Sequence, residues 1–482
     1  MDSSEKTTQE SGLGTRPWQA LREVVNRGSA EQLQQFLDDL PAGEMARAVS
    51  RLDDGDQIKL MIRLRPEMAA ELVDGVSEAQ AVELLELLPV RDVAAILQEL
   101  ESDERADILS ELDEDDLEAI LAAMDPDKAA NARRLAEYLP ETAGGLMITE
   151  LLCYRDDLTV QDVLDDLRQG AERYSDYDVQ YAYVVQRSSV KDDSPTAASS
   201  AGDFGRLVGV LRLRDLVLSS AEKRIADVAI RETLAVGTHA TLDELAAFFD
   251  RYHFFGVPVV DAENRLVGVV RRHDVEEALA DRADDDNLKL LGIIAGEELR
   301  TMPLSLRAGR RLAWLIPNIM LNVIAISVIA YYEATVAQVV ALAILLPLIS
   351  DMGGNAGVQA LAVSIREMNL GLLRPHELMW VTLKESSVGL LNGVVLGLLV
   401  AIGSWIWQQN LYLGLVVGVA MLLNTLIATT VGGLMPLVMK RMNIDPALAS
   451  GPILTTITDM TGFFFVLSLA TLVLAQLVGG GP

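Results

Sequence analysis

The sequence predicts a multidomain protein: an α-helical, superhelical N-domain, an α/β tandem pair, a connecting helix and a five-helix all-α transmembrane domain. Three observations predict it. Charge and apolar residues are segregated along the 482 residues, whose formal net charge is −30. From Arg307 onward there are seven acids and eight bases, which leaves 63 acids against 32 bases before that point. Short apolar periodicities recur in the acidic front part, and a helix–strand–turn–strand pattern then occurs twice.

The elements follow in order. Residues 1–18 have no apolar core and read as a disordered lead, not a signal peptide. Residues 19–142 form the acidic helical domain. Within it, "VSEAQAVELLELLPVRDVAAILQELESDERADILSELDEDDLEAILAAMDPDK" places Leu, Ile or Ala at i, i+3, i+4 in runs of about a dozen residues. Asp103 and Asp107 fall four apart on one helix face, where like charges are unfavourable without a cation. Residues 143–220 and 221–280 are two copies of one unit, seen best in "GRLVGVLRLRDLV" and "NRLVGVVRRHDVE". The Ser/Ala/Asp-rich "RSSVKDDSPTAASSAGD" between strands of the first copy reads as a loop. Residues 281–306 read as a connecting helix into the membrane domain, 307–482.

Five apolar runs reach the roughly 20 residues that span a bilayer, at about 312–333, 335–360, 385–408, 411–438 and 452–478. "RAGRR" precedes the first, Arg366, Arg374 and Lys384 follow the second, and Lys440 and Arg441 follow the fourth. The other connections carry no Lys or Arg. Basic loops mark the cytosolic side, which puts the N-terminus in the cytosol and the C-terminus outside a plasma (inner) membrane.

Two polar sites interrupt these runs. In "PLISDMGGNAGVQ", Asp351, Asn355 and Gln359 recur every four residues on a helix. Gly353, Gly354 and Gly357 allow close backbone approach or a local break, and Pro347 weakens the helix one turn earlier. In "SGPILTTITDMTGF", Pro452, Thr455, Thr456 and Asp459 fall on one side. A carboxylate in hydrocarbon is costly and faces a water-filled path or a partner. The plainer alternative is helix packing, with Asn and Thr as interhelical hydrogen bonds. Oxygen ligands suit hard cations such as Mg²⁺. Cys153 is the single cysteine and His376 the membrane part's single histidine, so soft-metal chemistry is disfavoured and no internal disulfide can form. The acidic front part repels phosphate, which argues against nucleic-acid binding.

The order of acidic helical domain, "AGGLM", tandem repeat, connecting helix, "MGGNAGVQ" and "DPALASGPILTTITDMTG" resembles the MgtE-family magnesium channels from about residue 20 onward. The resemblance implies that the repeats are CBS domains and that the protein is a homodimer in membrane lipid, with one pore lined by the second and fifth spans. It implies no enzymatic activity, and Mg²⁺ as both substrate and regulator. Asp459 matches the intramembrane ion-binding aspartate and Asn355 the asparagine of the same path. Asp274, Glu277, Asp285 and Asp286 match cytosolic sensor positions, with Asp103 and Asp107 on the helical domain. Mg²⁺ between those surfaces would close the channel.

The match has departures. Asp351 is an additional carboxylate, and Arg282 stands where an acid is expected. Arg212 and Arg271 replace the Ser or Thr with which CBS domains hold a nucleotide's ribose, which argues against nucleotide binding. Two other functions remain open from the residues. One is a coupled transporter in which Asp351 and Asp459 carry protons or Na⁺. The other is an intramembrane aspartyl protease using the same pair, although neither aspartate lies in a Gly-x-Gly-Asp setting.

Overall fold

The computed structural model describes residues 16–171, 174, 180–186, 204–293, 304–369, 371–374, 376–442 and 444–479. Most of the expected lead, the first repeat's insert (187–203) and residues 294–303 of the expected connecting helix lie outside the described residues. The chain forms two compact units, residues 1–281 and 282–482.

The first unit opens with short helices: α1 (Pro17–Arg27), α2 (Ala30–Asp38), α3 (Ala42–Val49), α4 (Asp54–Arg63), α5 (Pro66–Asp74), α6 (Glu78–Glu86), α7 (Val90–Leu97), α8 (Ser102–Ser110), α9 (Glu114–Ala123) and α10 (Pro126–Leu135). Their starts are written in the sequence. Pro17, Pro66 and Pro126 stand in first turns, where a missing N–H costs nothing. Ser29 and Gln32 close a capping box, and Asp53 and Asp125 cap the helices after them. Helices pack on their second neighbours, α5 on α7, α7 on α9, and α8 on α10, as in a solenoid. Leu21, Leu33, Leu60, Leu84 and Leu97 are fully buried in the core that runs through it.

The repeats build one six-stranded sheet of order β1-β2-β3-β6-β5-β4. The first contributes β1 (Leu152–Arg155), β2 (Tyr181–Val185) and β3 (Gly205–Arg212), with helices α11 (Val160–Gln169), α12 (Leu213–Leu218) and α13 (Ile225–Val228). The second contributes β4 (Val236–Gly237), β5 (Gly256–Val260) and β6 (Arg265–Arg271), with α14 (Leu242–Arg251). The two halves are equivalent in detail. β1 runs parallel to β2 as β4 does to β5, and both antiparallel pairs carry an irregularity at matching sites, Val184/Val185 and Val259/Val260. Thr159 and Thr241 both close capping boxes. The seam between the halves is two residue pairs, Gly205 with Leu266 and Arg206 with Arg265.

The halves also exchange flanking segments. Ala143 and Gly144 hydrogen-bond to Ala240 and Thr238, and Ile148 pairs with Val269, so "AGGLM" lies on the second repeat. Ile225 and Val228 pack instead into the first repeat's core. Sequence contiguity and packing therefore part company at both edges.

Helix α15 (Arg272–Leu290) begins directly after β6 and runs without a break into the segment expected for the connecting helix, because no helix breaker intervenes. The second unit contains five helices long and apolar enough to cross a membrane, among the described residues. They belong to α16 (Leu304–Tyr331), α18 (Val340–Asn369), α19 (Leu378–Gln408), α20 (Leu411–Arg441) and α21 (Pro446–Leu472). Short helices α17 (Glu333–Gln338) and α22 (Leu474–Gly479) accompany them. The second span begins five residues later than expected because Val339 leaves helical geometry after α17. Several helices extend beyond their apolar runs, since helical hydrogen bonding does not stop where hydropathy falls. α18 continues unbroken through Pro347 and its three glycines. α20 is the central helix, packed against α18, α19 and α21.

Candidate functional site

In the second unit a cleft of about 650 Å³ opens between α18 and α21, with α16 and α17 at its margin. Its polar lining is Ser350, Asp351, Asn355, Thr455 and Asp459, and Gly354 leaves one wall without a side chain. Ile329, Leu346, Pro347, Val358 and Phe463 supply apolar wall.

Helix geometry decides which expected residues arrive. At about 100° per residue, steps of four drift by about 40°. Asp351 and Asn355 reach the cleft, and Gln359, a further step around, is exposed outside its lining. Thr455 and Asp459, four apart, both line it; Thr456 does not, and its hydroxyl donates to the carbonyl of Pro452 at 2.8 Å. The Asn355 amide donates to Asp351 Oδ2 at 3.2 Å, and the Ser350 hydroxyl donates to Asp459 Oδ1. Among the described residues, no Lys, Arg or His lines the cleft.

The three glycines divide by direction. Gly353 and Gly357 are buried against α20. A Cβ on Gly353 would lie 2.1 Å from Asn424 Nδ2, and one on Gly432 would lie 2.2 Å from the Gly357 carbonyl. Gly354 faces the cleft, where a Cβ would meet nothing closer than Thr458 Oγ1 at 3.9 Å. Ser350 and Asn424 escaped the sequence reading, because a short neutral polar residue in an apolar run gives no signal of its own.

The cytosolic-sensor candidates occupy different surroundings. In the first unit, Asp274 and Asp103 are both buried, near Glu101. Arg271 enters this group: its Nη atoms donate to the two Glu101 oxygens at 3.0 and 2.7 Å, and Nε lies 2.9 Å from both Asp274 oxygens. Burial disfavours the guanidinium charge, but Asp274 and Glu101 outweigh it and hold Arg271 protonated. Burial, then Asp274 and Glu101, pushes Asp103 up to about 8. Burial and the neighbouring Asp74 push Glu104 up to about 10. Asp107 is pushed up to about 7 by burial and by Glu78 and Glu111. Asp103 and Asp107 thus share a helix without sharing neighbours. Glu277 is exposed, with His273 Nε2 3.8 Å away.

In the second unit, Lys289 on α15 pairs with Asp285 at 2.7 Å and lies 3.5 Å from Asp445, in the connection before α21. Burial disfavours its charge; Asp285 and Asp445 more than restore it. Asp286 accepts from the Asn369 amide at 3.1 Å, at the end of α18. Leu290 packs with Leu361, Ile365 and Leu454. Among the described residues, no three His, Cys, Asp or Glu side chains converge as a site for a bare metal ion.

Family models match along the chain: an MgtE intracellular N domain over residues 23–141, a CBS domain over 225–281 and an MgtE divalent cation transporter domain over 346–469. The magnesium transporter MgtE of Enterococcus faecalis is 32% identical over 352 residues, 73% of each chain. That of Thermus thermophilus is 34% identical over 352 residues, 72% of this chain and 74% of the relative. That of Bacillus subtilis is 32% identical over 338 residues, 70% of each. Among solved structures, the cytosolic domain of the Mg²⁺ channel MgtE in complex with ATP is 30% identical and covers 54% of this chain and 99% of its own, with a TM-score of 0.46. The repeat pair, the helical N domain and five candidate membrane helices all agree with this assignment: the chain belongs to the MgtE family of magnesium transporters.

Proposed function

We propose that the protein is a Mg²⁺-selective channel that imports Mg²⁺ across the plasma membrane and closes when cytosolic Mg²⁺ binds to its acidic surfaces. The observation that carries the reading is the cleft between the second and fifth spans, with two carboxylates, one carboxamide and two hydroxyls in an otherwise apolar lining. Mg²⁺ demands octahedral coordination and sheds water reluctantly. Six waters occupy roughly 180 Å³ at roughly 30 Å³ each, so the cleft has room for the intact hydrated ion. Asp459 and Asp351 attract it, and Asn355, Thr455 and Ser350 meet its water shell with neutral oxygens. The absence of a basic group along the lining favours cations over anions.

Two copies of the chain form the conducting unit, with basic loops and the connecting helix on the cytosolic side. The ties from α15 to Asn369, at the end of α18, and to Asp445, in the connection before α21, support that side for the connecting helix, because both lie at the basic-loop ends of their spans. At low Mg²⁺ the acidic faces repel; at high Mg²⁺ the cation bridges them, and closure gains by its differential affinity. Asp274, Glu277, Asp285, Asp286, Asp103 and Asp107 are the sensor acids. Arg271 and Lys289 already serve two of them, so Mg²⁺ acts there in competition with the chain's own cations.

The test is Mg²⁺ flux into proteoliposomes, with and without Mg²⁺ on the sensor side, for the wild type and Asp459→Asn. A wild type that conducts only when that side is Mg²⁺-poor, beside a silent variant, upholds the reading. Equal conduction by both removes Asp459 from the path; dependence on a pH or Na⁺ gradient makes the protein a coupled transporter instead.

A further inference from the structure

Asn424 sits in the middle of α20, fully buried and outside the cleft lining. Its carboxamide makes one bond to each helix that walls the cleft. Nδ2 donates to the Ile349 carbonyl of α18 at 3.0 Å, and Oδ1 lies 2.8 Å from the Thr461 hydroxyl of α21, whose one proton it shares with the Ile457 carbonyl, also at 2.8 Å. Both anchor points adjoin the ion-facing residues. Ile349 precedes Ser350, whose hydroxyl holds Asp459, and Thr461 lies two residues beyond Asp459. Glycines make the approach possible: a Cβ on Gly353 or Gly462 would lie 2.1 or 2.9 Å from Nδ2.

We propose that Asn424 is a positioning residue for ion passage: acting from behind the cleft, it sets the separation and rotation of the second and fifth spans at the level of Asp459, and so the divalent cation that the cleft prefers. This rests on the reading of the cleft as the ion path. A carboxamide suits the task because it donates and accepts at once, in a fixed plane. A hydrocarbon side chain fills the space without fixing the rotation of either neighbour. A bond that merely glued helices together would change stability and leave ion preference alone.

Two variants separate those roles. Thr461→Val removes the hydroxyl at nearly constant volume. Asn424→Asp keeps the shape, but its ionised form turns a second oxygen toward the Ile349 carbonyl. Protonated, it regains the donor. The ionised form therefore breaks the link to α18.

The experiment measures Mg²⁺ and Mn²⁺ flux in proteoliposomes for both variants, for the wild type and for Asp459→Asn, with thermal melting to report the folded fraction. Loss of one interhelical bond shifts an equilibrium about threefold. Thr461→Val is therefore expected to move the Mn²⁺/Mg²⁺ ratio and the half-saturating concentration by that order. Asn424→Asp is expected to move them more. Should Asn424→Asp fail to fold, Thr461→Val decides. Variants that lose only maximal flux, in proportion to folded protein and with both quantities unmoved, overturn the proposal while Asp459→Asn stays silent. An Asp459→Asn protein that conducts like the wild type overturns the path reading and this proposal with it.

Discussion

Arg271→Gln removes the charge, and the Nη atoms, that join Glu101 to Asp274. The Arg271, Glu101 and Asp274 side chains are 22%, 32% and 9% exposed. That places the group between two regimes. Exposed ion pairs contribute about 0–1 kcal/mol, whereas removing one partner of a fully buried pair costs about 3–5 kcal/mol. An intermediate loss of about 2 kcal/mol raises the population with this junction open roughly 30-fold. The substitution also strands three acids, Glu101, Asp103 and Asp274, without their nearest cation. Hydrogen exchange on the full-length protein in detergent reads the effect at the first turns of α8 and α15. In Mg²⁺-free buffer the variant should exchange faster there by that factor. Millimolar Mg²⁺ should then slow the variant markedly and the wild type little, because only the variant has an unoccupied cation position. Equal exchange in both proteins without Mg²⁺ would refute the idea that Arg271 holds the junction.

Three further outcomes are expected. The folded protein holds protons on Asp103 and Asp107 at pH values where the unfolded chain has lost them, so stability falls as pH rises between about 4 and 8; for Asp103 the loss is about 1.4 kcal/mol per pH unit at most. Denaturant melts in chelator across about pH 6–8 test this, and a flat or rising profile contradicts it. Gly432→Ala drives a methyl into the Gly357 carbonyl, which is backbone and cannot swing aside, so the variant should lose about 1–3 kcal/mol and much of its yield in detergent. A melting temperature equal to the wild type's would show that α18 and α20 separate freely. Cys153 is buried in the sheet and its thiol is raised far above the ordinary range by that burial, so a maleimide should label it only after denaturation, as mass spectrometry would report.

The sequence made legible whatever depends on runs and periods. The bilayer sets a length that a span must meet, so five spans could be counted. Asp351 and Asp459 stood out because a carboxylate is costly in hydrocarbon, and Asn355 and Thr455 because each falls four residues from one of them. Gln359 and Thr456 were expected beside them and are not there, because four-residue spacing tracks a helix face only approximately. Ser350 and Asn424 were invisible for a different reason. A hydroxyl or carboxamide in an apolar run is compatible with a dozen packing roles, and only the identity of its partner selects one. Arg271 shows the limit most plainly: it was noticed for the ribose contact it cannot make, while its carboxylate partner Glu101 stands 170 positions earlier in the chain. Nothing local encodes a pairing at that distance.

The duplicated sheet repays one more look, as a mechanical object. Both repeats carry Arg-x-x-Asp beginning at the last residue of their final strand, and both pairs form: Arg212 with Asp215, Arg271 with Asp274. In the second copy the arginine also grips the helical domain through Glu101. A pull on α8 therefore enters the sheet at β6 and α15. Within the sheet itself, β3 and β6 join the halves through only two residue pairs. A near-symmetric object is thus loaded off-centre, and the half that bears the load is the half continuous with the helix leading toward the membrane domain.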